Sequence, residues 1–149
     1  MRDFEKSIAQ CYSTWGESYY DEYYGKQAPY PPVHRDLLIR LLKKCLPKVV
    51  LDAGCGPASF LRHITDLSWE LYGFDLTPEM VEEAKCVFSK QGISDTRIWE
   101  GSVLEPGDYK NPTDNRNRYD AAVMNRLQAS ITRCESASIH RFLRDIFCI

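Results

Sequence analysis

Residues 49–60, VVLDAGCGPASF, are the stretch that decides how this chain folds. The first five residues form a short apolar run, which stops at Gly54 and Gly56 with Cys55 between them. A short apolar run bounded by turn residues is typical of a strand that is buried on both faces. Glycine also lets the backbone turn tightly and approach a ligand closely. We therefore expect a buried strand that leads into a binding loop.

The sequence on either side alternates between strand-like and helix-like patterns. Strands are predicted at 49–53, 69–75, 96–101 and 119–125, helices at 59–67 and 78–90, and a polar loop at 105–118. In the first of these helices Phe60, Leu61 and Ile64 should face inward. The second has Thr77 as its N-cap and Pro78 at its first position. Strands separated by helices of this length predict an α/β fold, with a parallel sheet flanked by helices.

The first 47 residues are predicted to form a helical and aromatic cap. Tyrosines are frequent in the first 30 residues, and prolines at 29, 31 and 32 then break the chain. The helix predicted between these prolines and Pro47 has an apolar face made of Leu37, Leu38, Leu41, Leu42 and Cys45. The expected organisation is one structural domain with a cap at 1–47, an α/β core at 48–125 and an atypical basic tail at 126–149.

Length and composition exclude several classes of protein. A chain of 149 residues that is 44% hydrophobic is long enough for one domain with a real core, and it is neither disordered nor of low complexity. No apolar run approaches the roughly 20 residues that cross a bilayer, and the first ten residues lack the apolar stretch of a signal peptide. We expect a soluble, cytoplasmic protein without a membrane partner.

The six cysteines are spread along the chain without a C-x-x-C pair or histidines at zinc spacing. No metal site is therefore expected, and free thiols in a reducing compartment are the default. Cys55 lies in the glycine loop, but no basic partner is evident for it in the sequence. A nucleophilic role for this thiol is therefore disfavoured.

The net charge of −2 hides an asymmetry along the chain. Residues 110–149 carry seven basic and four acidic side chains, a net charge of +3, so the first 109 residues carry −5. A basic end could contact nucleic acid, but scattered arginines are more often a solvated surface.

Small and polar residues follow each predicted strand at its carboxyl end. They are Asp52, Gly54, Cys55, Gly56 and Ala58 at the first strand, Asp75 at the second, Ser102 at the third and Asn125 at the fourth. In a parallel sheet these ends share one edge, where ligands bind. Asp75 lies 21 residues after Gly54. This is close to the spacing of about 20 at which an acid on the second strand accepts the hydroxyls of an adenosine ribose.

The spacing of the small residues distinguishes two cofactors. A dinucleotide loop has the pattern G-x-G-x-x-G/A, which would put its third small residue at Ser59, whereas here the small residues stand at 54, 56 and 58. The run VVLDAGCGPASFLRHI resembles motif I of class I S-adenosylmethionine-dependent methyltransferases, acid-x-G-x-G-x-G. The run LYGFDLTPEMVEEAK is similar to the next segment of that superfamily. With YDAAVMN, the resemblance covers 49–125, about half of the chain.

This resemblance implies a Rossmann-like methyltransferase fold that binds S-adenosyl-L-methionine. Asp52 would orient the glycine loop and approach the methionine amino group. Gly54, Cys55 and Gly56 would pass their backbone along the methionine portion. Asp75 would take the ribose hydroxyls.

The remaining positions would contact the adenine and the sulfonium. Leu76 and Met80 would pack against the adenine, and the backbone N–H of Val103 would bond the ring. Ser102 stands where many relatives have an aspartate that bonds the adenine amine; a neutral hydroxyl still accepts such a bond, but a weaker one. Asn125 would lie near the sulfonium.

No residue stands out as a general base. Because the methyl group of the sulfonium is already activated, orientation of the acceptor alone could lower the activation barrier by about 7 to 11 kcal/mol. A general base is needed only if the acceptor is protonated at the working pH. His34, His63 and His140 are all expected at the surface. The aromatic cap resembles the lids of small-molecule methyltransferases, with Tyr20 and Tyr24 as the preferred contacts. Simple packing of these tyrosines on the sheet is the equal alternative.

Methyltransferases of this class continue to about seven strands, whereas 24 residues follow Asn125 here. The sequence therefore predicts a fold truncated after about the fourth strand. With the strand order 3-2-1-4 that the resemblance implies, the fourth strand would be an exposed edge unless the tail or a second copy of the chain covers it, which gives a route to self-association.

Methyl transfer to a small-molecule acceptor is the leading prediction. The alternative is a non-catalytic or regulatory protein that binds S-adenosylmethionine and has lost activity through truncation. A nicotinamide-dependent oxidoreductase is disfavoured by the small residue at 58, and protein or RNA acceptors stay open.

Overall fold

The computed structural model describes residues 2–14, 18–25 and 33–124. The helices are α1 (Asp3–Ser13), α2 (Ser18–Tyr24), α3 (Val33–Cys45) and α4 (Pro78–Lys90), and the strands are β1 (Val49–Ala53), β2 (Glu70–Asp75), β3 (Ile98–Glu100) and β4 (Ala121–Val123). The predicted bounds of β1 and α4 are confirmed. The other three strands are shorter than predicted. In β3 this is because residues 95–97 form a turn of 3-10 helix before the strand begins.

The four strands form one parallel sheet in the order β3-β2-β1-β4. β1 pairs with β2 on one side and with β4 on the other, and all five of its residues are buried. The parallel sheet and the predicted strand order are therefore confirmed. The carboxyl ends of all four strands meet at one edge.

One face of the sheet is covered by α3, α4 and the segment that follows β1. The buried residues of α4 are Met80, Val81, Ala84, Val87 and Phe88, as the helical pattern predicts. Phe60, Leu61 and Ile64 are buried in the same core.

Aromatic side chains fill the opposite face. Tyr72, Phe74 and Trp99 of the sheet pack there with Tyr109 from the polar loop and with Tyr119, which lies just before β4. The Trp99 Nε1–H donates to the Asp108 carbonyl at 2.7 Å, and the Tyr119 hydroxyl donates to the Tyr109 carbonyl at 3.1 Å. The predicted loop thus serves as the second cover of the sheet, and it contains only a turn of 3-10 helix at Pro106–Tyr109.

The predicted apolar face of α3 is partly wrong. Leu42 is buried and Leu38 and Ile39 pack against the core, but Leu37 is 52% exposed and Leu41 is 48% exposed. Cys45 is also exposed. The apolar band of the helix is wider than its contact with the sheet, so one side of it faces outward.

The helix predicted at 59–67 is also wrong. The chain instead makes turns and a single turn of 3-10 helix at Leu61–His63. Gly56 and Ala58 have φ angles of 53° and 55°, in the left-handed region. These two residues belong to the loop before the segment. Within the segment, the N–H of His63 donates to the Phe60 carbonyl and the N–H of Ile64 to the Leu61 carbonyl, which is the pattern of a 3-10 turn, and the turn ends at Ile64, where φ is −127°. No helix in the described part of the chain is long and apolar enough to cross a membrane.

Candidate functional site

The glycine loop after β1 is tied down by the end of β2. The N–H groups of Gly54 and Cys55 both donate to the carbonyl of Phe74, at 2.8 and 3.0 Å. Gly54 and Gly56 both have positive φ, which explains glycine at these positions. The amides of Gly54 and Cys55 are therefore bonded within the protein.

Gly73 of β2 lets the loop cross close above the strand. A Cβ at Gly73 would lie 3.0 Å from Leu61 Cδ1 and 3.1 Å from the Cβ of Cys55. These distances are shorter than most real contacts of a Cβ, so a larger residue at 73 would require Leu61 and Cys55 to shift by a few tenths of an ångström.

Asp75 closes the other side of the loop. Its Oδ2 accepts the Gly56 N–H at 2.8 Å and its Oδ1 accepts the Thr77 N–H at 2.9 Å. Burial raises the pKa of Asp75, while these backbone bonds act to lower it. Each carboxylate oxygen keeps a second lone pair, so the group can still accept hydroxyl donors.

Asp52 is a buried carboxyl group with one oxygen that has no partner. Within the described residues, the two buried side-chain oxygens or nitrogens without a hydrogen bond are Asp52 Oδ1 and Ser59 Oγ. Burial raises the pKa of Asp52 to about 8, and the nearby Asp75 carboxylate adds to the rise. Buried polar atoms are nearly always satisfied, so these two atoms are candidate contacts for a polar ligand.

Cys55 lies between the two acids. Its thiol is buried and donates to the Gly56 carbonyl at 3.4 Å. Burial raises the pKa of this thiol, and Asp75 and Asp52 raise it further. Because the thiolate is the nucleophile, these surroundings oppose a nucleophilic role.

Ser102 follows β3 and is buried against α1. Its hydroxyl donates to Glu5 Oε1 at 2.5 Å, and its backbone N–H donates to Asp108 Oδ2 at 2.8 Å. Glu5 was not singled out in the sequence, because no spacing rule connects residue 5 to residue 102. Only the packing of α1 over this edge brings the two together.

The residues predicted to contact the adenine follow β2 and β3. Met80 is buried at the first turn of α4, and Leu76 is half-buried before it. Val103 is half-buried, and its carbonyl accepts the Tyr109 hydroxyl at 3.2 Å. Asn125 lies outside the described residues.

The cap meets the loop and the segment after it through Tyr19 and through Tyr20, one of the predicted pair. A Cβ built on Gly56 would lie 4.0 Å from Tyr19 Cε1, so Tyr19 approaches the glycine loop. Tyr20 lies against the segment after the loop, with its ring 3.7 Å from the guanidinium carbon of Arg62 and its hydroxyl 3.3 Å from His63 Nε2. The side chain of Tyr24 lies outside the described residues. Nothing in the sequence distinguishes Tyr19 from its neighbour, so the structure alone makes this choice.

Arg62 connects the cap to the loop. Its guanidinium donates to the Pro57 carbonyl at 2.6 Å and to the Ala58 carbonyl at 3.4 Å. The same group stacks on Tyr20 and therefore holds α2 and the left-handed part of the loop together.

The histidines do not supply an evident base. His63 is half-buried, and burial lowers its pKa, with Arg35 and Arg62 lowering it further. The side chain of His34 and all of His140 lie outside the described residues. Among the described residues, no three His, Cys, Asp or Glu side chains are grouped to hold a metal ion.

A parallel sheet of order 3-2-1-4, a left-handed glycine loop after β1 and an acid that ends β2 define a Rossmann-like protein of the methyltransferase class. A family model described as a methyltransferase domain matches residues 50–147. The chain belongs to this family, within the class I S-adenosylmethionine-dependent methyltransferases. S-adenosyl-L-methionine is the cofactor of the family.

Solved structures share the fold at low sequence identity. Magnesium protoporphyrin IX methyltransferase from Synechocystis PCC 6803, solved with bound S-adenosylmethionine, aligns at 13% identity with a TM-score of 0.64, over 98% of this chain and 73% of that one. DhpI, solved in complex with S-adenosylhomocysteine, aligns at 18% identity with a TM-score of 0.66, over 96% of this chain and 63% of that one. TehB from Haemophilus influenzae aligns at 16% identity with a TM-score of 0.60, over 88% of this chain and 41% of that one. No curated protein matches the chain.

Proposed function

We propose that this chain binds S-adenosyl-L-methionine at the carboxyl edge of its sheet and directs the methyl group to a small-molecule acceptor. The observation that carries the proposal is the unpartnered Oδ1 of Asp52, buried at the glycine loop. A carboxylate that is buried without a partner is costly, so this position calls for a cationic or hydrogen-bond donating ligand. The ammonium of the methionine portion has the charge and the donors that Asp52 lacks.

The residues around Asp52 fit the rest of the cofactor. Asp75 is held by two backbone bonds and keeps lone pairs for the ribose hydroxyls. Gly56 presents no side chain, and a Cβ there would meet nothing closer than Tyr19. Leu76 and Met80 supply apolar surface for the adenine on one side, and Ser102 with Val103 supplies polar groups on the other. Asn125 remains a predicted contact near the sulfonium.

Bound in this way, the cofactor supplies an activated methyl group. The protein then has to orient an acceptor and keep water away, which can lower the barrier by about 7 to 11 kcal/mol. The cap helices α1 and α2 are suited to this work. α1 covers Ser102, and α2 brings Tyr19 to the glycine loop.

The close approach of Tyr19 in the cap to Gly56 in the glycine loop favours a small acceptor. The Tyr19 ring lies at van der Waals distance from the position of a Gly56 Cβ, which suits a planar or compact acceptor better than a macromolecular strand. Protein and RNA acceptors are tested as alternatives, and a steep loss of RNA affinity with salt would favour the basic tail as a contact surface.

Isothermal titration of the full chain with S-adenosylhomocysteine tests the binding part of this proposal. We expect binding by the wild type and by Asp66→Ala, which changes an exposed acid before the amino end of β2. Asp75→Ala should bind at least tenfold more weakly. Wild-type affinity in Asp75→Ala would contradict the assignment of Asp75.

Turnover with a panel of small acceptors tests catalysis. Formation of S-adenosylhomocysteine that depends on the acceptor supports methyl transfer. Binding without turnover on any small molecule, protein or RNA would instead support the alternative of a non-catalytic S-adenosylmethionine-binding or regulatory protein.

A further inference from the structure

Helix α1 places a buried carboxylate beside Ser102. Glu5 is only 2% exposed, and its partner lies 97 positions away in the sequence. Glu5 Oε2 accepts the Arg2 N–H at 2.6 Å, which caps the start of the helix. Capping explains a glutamate at this position of α1, but it does not explain why the side chain is buried against Ser102.

The contacts of Ser102 determine where its hydroxyl hydrogen points. The hydroxyl accepts the Leu104 N–H at 3.1 Å and is 2.5 Å from Glu5 Oε1. Burial acts to raise the pKa of Glu5, but the bonds from Ser102 and Arg2 outweigh it, so the pKa lies below its ordinary value. An ionised carboxylate only accepts hydrogen bonds, so Ser102 must donate to Glu5.

With these two hydrogen bonds, the Ser102 hydroxyl can accept one more hydrogen bond and can donate none. A serine hydroxyl has one hydrogen and two lone pairs. Glu5 takes the hydrogen and Leu104 takes one lone pair, so one lone pair remains. A ligand that meets Ser102 therefore meets an acceptor, and a second group of acceptors lies behind it on Glu5.

We propose that Glu5 is a positioning residue that makes Ser102 an obligate acceptor, so that the site selects a nucleoside with a 6-amino group over its 6-oxo counterpart. The inference rests on the proposed function, which places the adenine at Ser102. The Glu5 carboxylate also brings a negative charge to a position where the hydroxyl itself has none. Charge near the hydroxyl strengthens the bond that Ser102 accepts.

Discrimination follows from the mismatch of a 6-oxo base. Its oxygen would face the free lone pair of Ser102, and neither group could donate. A site built around a hydrogen bond rejects a ligand that cannot make it, because the buried polar group is left unpaired.

Titration of the wild-type chain with S-adenosylhomocysteine and with S-inosylhomocysteine is the first test. We expect the adenosine compound to bind at least tenfold more tightly. Equal affinity for the two compounds would overturn this inference alone. Absence of binding by both would overturn the proposed function and this inference with it.

Glu5→Gln is the second test, because its amide can donate to Ser102 and release the hydroxyl hydrogen. We expect the preference for the adenosine compound to fall about tenfold. Glu105→Gln is the matched control: the Glu105 side chain is exposed and pairs with Arg2 at 3.1 Å. Its contact with Ser102 is a backbone hydrogen bond, from the Glu105 N–H to the Ser102 carbonyl at 3.1 Å, which the substitution keeps. The control should keep the wild-type ratio.

A purely structural role for Glu5 gives a different result. In that case Glu5→Gln would lower the melting temperature but leave the ratio of the two affinities unchanged, and the inference would be rejected. Ser102→Ala provides the same readout if Glu5→Gln does not fold. Removal of the hydroxyl should abolish most of the preference, and an unchanged ratio in Ser102→Ala would also reject the inference.

Discussion

Asp75 Oδ2 accepts the backbone N–H of Gly56 at 2.8 Å, so the acid that ends β2 holds the loop that follows β1. The two residues are 19 positions apart, and they meet because β1 and β2 are adjacent parallel strands. The Asp75 carboxylate therefore holds the glycine loop in place. In the proposed function, its remaining lone pairs accept hydrogen bonds from the ligand.

Asp75→Ala should show both tasks. The Gly56 and Thr77 N–H groups lose their acceptor, and an unsatisfied buried donor costs about 1 to 3 kcal/mol. We expect a loss of stability of this size in urea denaturation, together with the loss of affinity for S-adenosylhomocysteine. Asp66→Ala should leave both quantities at wild-type values. A variant with full stability and full affinity would show that neither task is real.

Asp52 should make the stability of the chain depend on pH. Its pKa is about 8 in the folded protein and near 3.8 when exposed. The folded state therefore holds a proton that the unfolded state releases, and stability falls as the pH rises from about 4 to about 8, by at most about 1.4 kcal/mol per pH unit. We expect Asp52→Asn to unfold at higher urea concentration than the wild type at pH 8, and the difference to shrink toward pH 4. The same difference at both pH values would contradict the raised pKa.

Binding of a cation at Asp52 should release this proton. At pH 7 the Asp52 carboxyl is mostly protonated, and an ammonium beside it favours the ionised form. Titrations in buffers of different ionisation enthalpy should report close to one proton released per molecule of S-adenosylhomocysteine bound. Asp66→Asn should release the same number as the wild type, whereas Asp52→Asn, where it still binds, should release none. A wild-type value of zero would place the ammonium elsewhere.

Gly73→Ala should disturb the glycine loop from below. The added Cβ would lie about 3 Å from Leu61 and Cys55, and overpacking of a core costs about 1 to 3 kcal/mol. We expect this loss of stability with a weaker affinity for S-adenosylhomocysteine. Gly107→Ala is the matched control, because a Cβ at Gly107 meets nothing within 4 Å. Equal stability of the two variants would mean that the loop moves aside without cost.

Ala58 should tolerate glycine but not valine. It is fully buried with a φ angle of 55°, which costs a residue with a Cβ about 1 to 2 kcal/mol. Ala58→Gly relieves this strain and loses a buried methyl group of about 0.8 kcal/mol, so stability should change by less than about 1 kcal/mol. Ala58→Val adds branching at Cβ and volume, and should destabilise by about 2 kcal/mol or more. Thermal and urea unfolding of both variants measure these changes in stability, and equal stability of Ala58→Gly and Ala58→Val would contradict the prediction.

The cysteines should differ in reactivity. Cys11, Cys45 and Cys86 are exposed, whereas burial, Asp75 and Asp52 all raise the pKa of the Cys55 thiol. Brief treatment with iodoacetamide at pH 7.5, followed by peptide mass spectrometry, should modify the three exposed residues and spare Cys55. Modification of Cys55 should appear once urea unfolds the chain. Fast alkylation of Cys55 in the native protein would revive the nucleophile hypothesis.

The local pattern of the sequence was enough to predict the parallel sheet, and the resemblance to class I methyltransferases supplied its strand order. The apolar run 49–53, the period of α4 and the spacing between Gly54 and Asp75 depend on residues near one another in the chain or on strands joined by one connection. Such features follow from backbone geometry and hydrophobic period, so they can be deduced without knowledge of the fold. The parallel sheet and its order 3-2-1-4 are confirmed. The division of the chain into cap, core and tail at residues 47 and 125, and self-association through β4, remain predictions.

The tertiary structure alone decided three features of the site. In place of the helix predicted at 59–67 it has turns and a 3-10 turn at Leu61–His63, which ends at Ile64, where φ is −127°. It placed Tyr19 beside the glycine loop and Tyr20 against Arg62. Adjacent residues of a helix point in different directions, so only packing determines which of the two lies beside the loop. It also joined Glu5 to Ser102 across 97 positions, a contact for which no local interaction carries information. The sequence by itself therefore determined the strands and the small and polar residues at their carboxyl ends, because these depend on local patterns. Long-range packing decided which side chains from distant segments lie beside them.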